Sequence, residues 1–309
     1  MLSLVHRLGA ARPAARRAFA AQPEFDWRKT TPREAFAHGK ETVFRLVRGL
    51  NHVRLETVEA VRARQRLRDT PTRRDAALVR RNSRNLKRML PFLFVVMMPG
   101  PTALYVPFVL VRFPAMLPAA FLSDAQKTTV AQNFWKNRKE AAVELAHGLD
   151  VTGAARGISH PEDADFAALL DIAHRHEVNV AEMSREDLQA ACKVASCGYL
   201  ALRTSVLRRR LSRHMAYITE DDRMLEIEGI DDLTDVEVRE ACRERAIGGG
   251  TEDADVDMLR RRLATWVEWS TTVPGSSGER TAALMMASVM DVVAAHHWEE
   301  EAAVLPDKR

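Results

Sequence analysis

The sequence predicts an all-α protein in which a proline-broken transmembrane segment precedes a helical domain built from two similar helix-turn-helix repeats. Helix-favouring Arg, Ala, Leu and Glu recur throughout, aromatic residues make up only 6% of the chain, and β-branched runs are scarce. One long uncharged stretch interrupts an otherwise highly charged sequence. After it, helix-start signals recur in the same order, which indicates a duplicated helical unit.

Composition changes along the chain predict four regions. We expect a mitochondrial transit peptide at 1–22, a basic helical N-terminal region at 23–88, a membrane segment at 89–122 and a helical domain at 123–309. The overall net charge of +4 is small, so the local distribution of charge is more informative than its total.

The first region has the composition of a targeting peptide. Residues 1–22 contain four arginines and no acidic residue, and Leu2, Val5 and Leu8 share one helical face. A secretory signal would need a longer continuous apolar core. The pattern therefore predicts import into mitochondria; the alternative is a basic tail without a targeting function.

The membrane segment begins with an uncharged run from Met89 to Val111. At about 1.5 Å per residue, a helix of this length would cover roughly 34 Å, enough for a bilayer core. Proline removes a helical hydrogen bond and clashes with the preceding turn, which predicts a kinked or broken span. The alternative is a buried hairpin of a soluble protein. The prolines of this region are Pro91, Pro99, Pro101, Pro107, Pro114 and Pro118.

Basic residues around this segment predict contact with anionic lipid such as cardiolipin, and the positive-inside rule places them on the matrix side. The candidate lipid-binding residues are Arg80, Arg81, Arg84, Lys87, Arg88 and Arg112. Proton-coupled exchange usually requires a carboxylate at membrane depth, and none occurs between Asp75 and Asp124. We therefore do not expect this chain to exchange ions by itself.

Capping boxes mark the first helix of each predicted repeat. Ser184 is followed three residues later by Asp187, and Thr234 by Glu237, with an apolar residue before each cap. A glycine-containing turn follows each helix, at Gly198 in the first repeat. A further capped helix is predicted from Thr219.

The second helices of the repeats, at 206–211 and 258–263, each contain an arginine triplet. The unit is similar to the SAP-type module, which often occurs on nucleic acid, so these arginines are candidates for binding a ribosome or another partner. The alternative is an ordinary amphipathic helix whose arginines face solvent. The candidate residues are Arg208, Arg209, Arg210, Arg213, Arg260, Arg261 and Arg262.

No enzyme signature is present. The sequence lacks a phosphate-binding loop, an HExxH motif and an EF-hand, and Cys192, Cys197 and Cys242 do not have zinc-site spacing. We expect reduced, mostly buried cysteines, and we predict no catalytic residue, cofactor or metal.

Over roughly residues 86–290 the chain resembles the LETM family, the leucine-zipper and EF-hand-containing transmembrane proteins of mitochondria. The segments that carry the resemblance are Leu90-Pro91-Phe92, Phe113 to Pro118, Ser184 to Lys193, Leu211 with Asp221-Asp222, Glu228 to Leu233, Ala241-Cys242-Arg243, and Leu259-Arg260 with Leu263 and Trp266. The pattern lacks the family's EF-hand and coiled-coil tail.

The resemblance implies an inner-membrane protein whose helical domain lies in the matrix, associates with mitochondrial ribosomes and contributes to K⁺/H⁺ homeostasis. A single pass with the basic flank in the matrix would place that domain outside, whereas a broken hairpin would keep both in the matrix. The alternatives are a non-catalytic accessory subunit of an inner-membrane oxidative-phosphorylation complex, either a respiratory complex or the ATP synthase, and a lipid-binding organiser of the membrane.

Overall fold

The computed structural model describes residues 32–97, 121–150, 170–171, 173, 178–199, 203–248, 254–273 and 276–304. These residues contain helices and no strand, which confirms the predicted all-α class. In chain order the helices are α1 Pro32–Asp69, α2 Arg73–Met97, α3 Asp124–Gly148, α4 Arg185–Val194, α5 Thr204–Glu228, α6 Asp235–Arg245, α7 Val256–Thr272 and α8 Ser277–Val304.

The chain divides into two compact units, Met1–Ala131 and Gln132–Arg309, each described by itself. The first contains an antiparallel pair formed by α1 and α2. Arg66 forms an ion pair with Asp75 near the turn, and Thr57 Oγ1 donates to Asn82 Oδ1 at 3.1 Å further along. Small side chains on α1 allow close approach of α2. Among the side chains of α1 that the structure describes, the buried apolar residues are Val53, Ala60 and Ala63.

The predicted membrane segment lies only partly within the described residues. Helix α2 continues from the basic region through Pro91 to Met97, so the first residues of the apolar run are helical. Of the helices that the structure describes, none is both long enough and apolar enough to cross a membrane. Residues 98–120 and the predicted transit peptide at 1–22 lie outside the described residues, so the proline-broken span remains a prediction.

Both predicted capping boxes are confirmed in the second unit. The Ser184 hydroxyl accepts from the Asp187 N–H at 3.1 Å, and the Thr234 hydroxyl accepts from the Glu237 N–H at 3.4 Å. In return each carboxylate accepts from the N–H of its cap residue. These reciprocal bonds satisfy N–H groups that a helix start otherwise leaves unpaired.

The two capped helices also end alike, each at a residue two positions before a glycine of the following turn, Gly198 or Gly248. Ser196 after α4 and Ala246 after α6 adopt left-handed backbone, with φ of 54° and 57°. The N–H of the following residue then donates back to the carbonyl of Cys192 or Cys242, a Schellman-type end. A left-handed residue at this position reverses the chain toward the second helix of each repeat.

Equivalent thiols join the two helices of each repeat. Cys192 Sγ donates to Leu207 O at 3.7 Å, and Cys242 Sγ donates to Leu259 O at 3.5 Å. The predicted free, buried state is confirmed for both thiols, whereas Cys197 is free and partly exposed. These shared contacts establish an internal repeat, while its kinship with SAP-type modules remains a prediction.

The predicted helix start at Thr219 is wrong, because α5 runs unbroken through it. Thr219 Oγ1 donates to Met215 O at 3.0 Å, the bond that a threonine makes inside a helix. No proline or glycine interrupts α5 before Gly229, so the polar run around Thr219 does not stop the helix.

A buried ionic cluster joins α5, α6 and α7. Arg245 donates to Asp221 Oδ2 at 2.6 Å and, through Nε, to Asp222 Oδ1 at 2.8 Å. Trp266 Nε1 and Ser270 Oγ donate to the other Asp222 oxygen at 3.1 and 2.7 Å. Desolvation raises the pKa of Asp222, and the charge of Arg245 and the donors opposes that rise.

Helix α8 is attached through a second set of buried polar contacts. Ser288 Oγ donates to the Arg245 carbonyl at 2.7 Å. Asp291 accepts from Arg262 Nη1 at 3.1 Å and from the Gly248 N–H at 2.8 Å. Since residues 281–293 of α8 are buried, this helix forms much of the centre of the second unit.

Arg138 of α3 connects the ends of the two capped helices. Its Nη1 donates to Arg243 O at 2.9 Å near the end of α6, and its Nη2 donates to Ser196 Oγ after α4. The guanidinium also lies over the rings of Phe134 and Trp135. Burial and the nearby charge of Arg243 lower the pKa of Arg138 to about 9, so it remains charged at neutral pH and faces the negative ends of both helix dipoles.

We expect Arg245→Met to lower the free energy of unfolding by about 3–5 kcal/mol, because it leaves the carboxylates of Asp221 and Asp222 buried without their cation. Urea unfolding followed by circular dichroism measures the change. The matched control is Arg223→Met, which removes an exposed pair with Glu220 and should leave the midpoint unchanged. Equal midpoints for both variants would contradict the importance of the cluster.

Gly248 and Gly229 allow backbone strain to be separated from steric overlap. Both have positive φ, 89° and 86°, but a Cβ at Gly248 would overlap the Leu259 side chain, whereas one at Gly229 meets nothing within 4 Å. We expect Gly229→Ala to cost about 1–3 kcal/mol from strain and Gly248→Ala about 1–3 kcal/mol more from overpacking. Unfolding midpoints of the two variants test this order.

Candidate interaction surface of the helical repeats

Arg208, the first arginine of the α5 triplet, is used inside the molecule. Its Nε donates to Val180 O at 3.1 Å and its Nη2 donates to Ala181 O at 2.7 Å. These carbonyls belong to the loop that leads into the capped helix α4. The half-buried side chain therefore stabilises the entry to its own repeat.

Arg260 makes the equivalent contacts in the second repeat. Its Nη1 donates to Ile230 O at 2.7 Å and its Nη2 donates to Leu233 O at 3.0 Å, both in the loop before α6. The same position in the two triplets thus contacts the same part of the unit. This structural role accounts for the first arginine of each triplet.

Two further members of the candidate set also make internal contacts. Arg210 donates to Gly198 O at 2.7 Å, although its side chain remains exposed. Arg262 is 4% exposed and forms its ion pair with Asp291, so it lies in the core and not on the predicted interaction surface. Burial follows from the orientation of its position on α7, which faces α8.

The remaining candidates have exposed side chains. Arg209 and Arg213 lie four residues apart and therefore on one face of α5, and Arg261 lies on α7. We call Arg209, Arg210, Arg213 and Arg261 the exposed arginine set. Their guanidinium groups can each donate several hydrogen bonds to a phosphate or a carboxylate of a partner.

Tyr199 is a candidate that the sequence did not reveal. It follows Gly198, its side chain is 42% exposed, and Lys193 Nζ lies 5.7 Å from the centre of its ring. A lone tyrosine in a loop has no periodic pattern, so only the folded chain shows that it lies beside cations. An exposed ring next to positive charge can stack on an unpaired base.

The predicted lipid-binding residues of α2 are partly engaged with α1. Arg81 Nε lies 3.3 Å from Glu56 Oε1, and Arg80 is half-buried, whereas Arg84 and Lys87 are exposed. The candidates outside the described side chains are Arg88 and Arg112. Lipid contact by this set remains a prediction.

Metal-ligating side chains are not gathered in the part of the chain that the structure describes. Among the described residues, His, Cys, Asp and Glu side chains form no group of three that could hold a metal ion. Burial raises the pKa of the Cys242 thiol to about 12, so that thiol stays protonated in its apolar surroundings. The charged and aromatic surface around α5 is therefore the candidate site that the described residues offer.

Comparison with known proteins places most of the chain in one family. The model of the family described as "LETM1-like, RBD" matches residues 72–174 and 157–289. The overlapping matches cover α4 to α7 and therefore both repeats.

Two curated relatives carry the same similarity. The chain is 26% identical over 226 residues to the Drosophila melanogaster "Mitochondrial proton/calcium exchanger protein", covering 65% of this chain and 21% of that protein. It is 26% identical over 217 residues to "LETM1 domain-containing protein mdm28, mitochondrial" of Schizosaccharomyces pombe, covering 64% of this chain and 45% of that protein. The chain thus spans less than half the length of each relative.

We expect the arginines of the triplets to separate into structural and surface classes. Arg208→Gln and Arg260→Gln should each lower the free energy of unfolding by about 1–2 kcal/mol, because loop carbonyls lose a charged donor. Arg209→Gln and Arg213→Gln, neighbouring and exposed, should leave the thermal midpoint unchanged. A loss of stability in Arg209→Gln equal to that in Arg208→Gln would contradict the division.

Proposed function

The chain belongs to the LETM1-like, RBD family, and we propose that it is a mitochondrial, non-catalytic LETM-type protein whose helical repeats bind the mitochondrial ribosome. Both relatives are named as mitochondrial proteins, which supports a mitochondrial location for this chain. We further propose attachment at the inner membrane with the repeats in the matrix, where a ribosome would be accessible.

The observation that carries the proposal is the exposed arginine set. Arg208 and Arg260 are half-buried and Arg262 is buried, whereas Arg209, Arg210, Arg213 and Arg261 have exposed side chains. The planar guanidinium fork is pre-organised for phosphate oxygens, so less side-chain entropy is lost per hydrogen bond than with a lysine. Ribosomal RNA presents such phosphates at high density.

Tyr199 favours RNA over an acidic protein surface as the partner. Phosphate contacts alone would suit either class, but an exposed aromatic ring beside Lys193 adds a stacking surface for an unpaired base. Lys193 lies in the last turn of α4 and Tyr199 in the turn that leads toward α5, next to the Gly198 carbonyl that Arg210 contacts. The charge and the ring are therefore close together in the same repeat.

A role in cation homeostasis is a second candidate, favoured by the name of the Drosophila relative. The matched region makes up 21% of that protein's length, and we propose that any such role is exercised here through a partner of the repeats. K⁺/H⁺ balance would then depend on what the repeats bind.

We expect the combined substitutions Arg209→Gln, Arg213→Gln and Arg261→Gln to weaken co-sedimentation with purified mitochondrial ribosomes. If each arginine contacts a phosphate, the slope of log affinity against log salt should fall by about 2–3. Arg223→Gln is the matched control, because it removes an exposed arginine from the same helix away from the set. Tyr199→Ala should weaken binding without changing the salt slope.

The outcomes separate the proposals. An unchanged affinity and slope in the triple variant would contradict RNA contact by this surface. Native complexes extracted in mild detergent provide a further test, because migration with respiratory or ATP synthase subunits instead of ribosomal proteins would favour an accessory-subunit role.

A further inference from the structure

Helix α1 is apolar on two opposite faces. One face packs on α2 through small buried side chains, among them Val53, Ala60 and Ala63. The opposite face carries larger side chains that remain exposed. We call it the outer face of α1, formed by Phe44, Val47, Leu50, Leu55, Val58 and Val61, which are 59%, 59%, 42%, 62%, 45% and 56% exposed.

These positions recur at helical spacing along one side of α1, with the exposed Asn51 and Arg54 between the first three and the last three. Projected at 3.6 residues per turn, all six fall within an arc of about 140°. From Phe44 to Val61 the stripe is about 26 Å long. Single exposed apolar side chains are ordinary, but an aligned row of this size marks a surface that is covered in the working protein.

The charges on this side of α1 are positive. Arg54 and Arg62 project within the arc and Arg48 lies at its edge, all exposed. The carboxylates of this stretch, Glu56 and Glu59, project outside the arc, and Glu56 is occupied by Asn85 and Arg81 of α2. The outer face thus combines aliphatic side chains with cations and excludes anions.

The register of the helix pair adds apolar surface at one end. Since Thr57 bonds Asn82 in an antiparallel pair, Leu50 lies level with the region of Met89. Leu86 and Leu90 of α2 are 41% and 62% exposed there, and α2 continues without charge to Met97. Both helices therefore expose apolar side chains toward the end of the pair remote from its turn.

We propose that α1 lies along the surface of a bilayer containing anionic phospholipids, with its outer face in the acyl boundary and Arg48, Arg54 and Arg62 at the lipid phosphates. An amphipathic helix with an apolar stripe and basic flanks takes this interfacial position, whereas its charges prevent it from spanning. The inference is independent of the proposed ribosome contact, which concerns the other unit.

Charge decides against a second copy as the occupant. Two outer faces packed on each other would bring the arginines of both helices together without a carboxylate to offset them. An anionic bilayer supplies both the apolar layer and the negative groups, and each arginine near such a surface contributes to attraction. The fit is therefore to lipid and not to this chain itself.

The test measures immersion at two adjacent positions, because the full chain could also reach lipid through other residues. Nitroxide labels are attached to Val58→Cys, on the outer face, and to the matched control Glu59→Cys, off it. Both carry Cys197→Ser, since Cys192 and Cys242 are buried and resist labelling. Vesicles contain four phosphatidylcholine to one cardiolipin by mole, or phosphatidylcholine alone.

On the anionic vesicles we expect the label at 58 to be accessible to oxygen and protected from an aqueous nickel complex, and the label at 59 to remain in water. The difference should vanish on neutral vesicles, and Arg48→Gln, Arg54→Gln and Arg62→Gln together should weaken immersion roughly 100-fold. The proposal would be overturned if both labels remained in water on anionic lipid, or if immersion were equal on neutral lipid. Protection of the label at position 58 in a lipid-free dimer would also overturn it.

Discussion

The arrangement of the second unit depends on one buried cation, Arg245. Its guanidinium forms ion pairs with Asp221 and Asp222, and Asp222 in turn accepts from α7, while the carbonyl of Arg245 accepts from α8. Charges taken out of water are tolerated only when each has its partner in good geometry. The position of α6 is thereby fixed against α5, α7 and α8, and the surface of α5 is fixed with it.

The duplicated units show that an arginine-rich helix can serve two purposes at once. Arg208 and Arg260 occupy equivalent positions and hold equivalent loop carbonyls, so the repeat of charge in the sequence reflects a repeat of structure. Neighbouring positions such as Arg209 and Arg213 have exposed side chains instead. The proposed phosphate contacts therefore involve only the exposed arginines, and the family match covers both repeats.

Each of the two units presents a surface of its own character. In the second unit a rigid helical core displays guanidinium groups and one aromatic ring, which suits a polyanion with exposed bases. In the first unit α1 exposes aliphatic side chains among arginines, which suits a lipid surface. Both surfaces favour negatively charged partners, but the exposed apolar area of α1 distinguishes its surface from that of the second unit.

The sequence by itself determined the features that depend on residues close together in the chain. The all-α class, the two capping boxes and the two similar helix pairs follow from propensity and from bonds between residues three or four apart, which any sequence displays directly. The tertiary structure alone decided that Thr219 lies within a continuous α5, that Arg262 is buried against Asp291, and that α1 has an exposed second apolar face. Whether an arginine binds a carboxylate, a carbonyl or a partner depends on residues tens of positions away in the chain, and only packing brings those residues together.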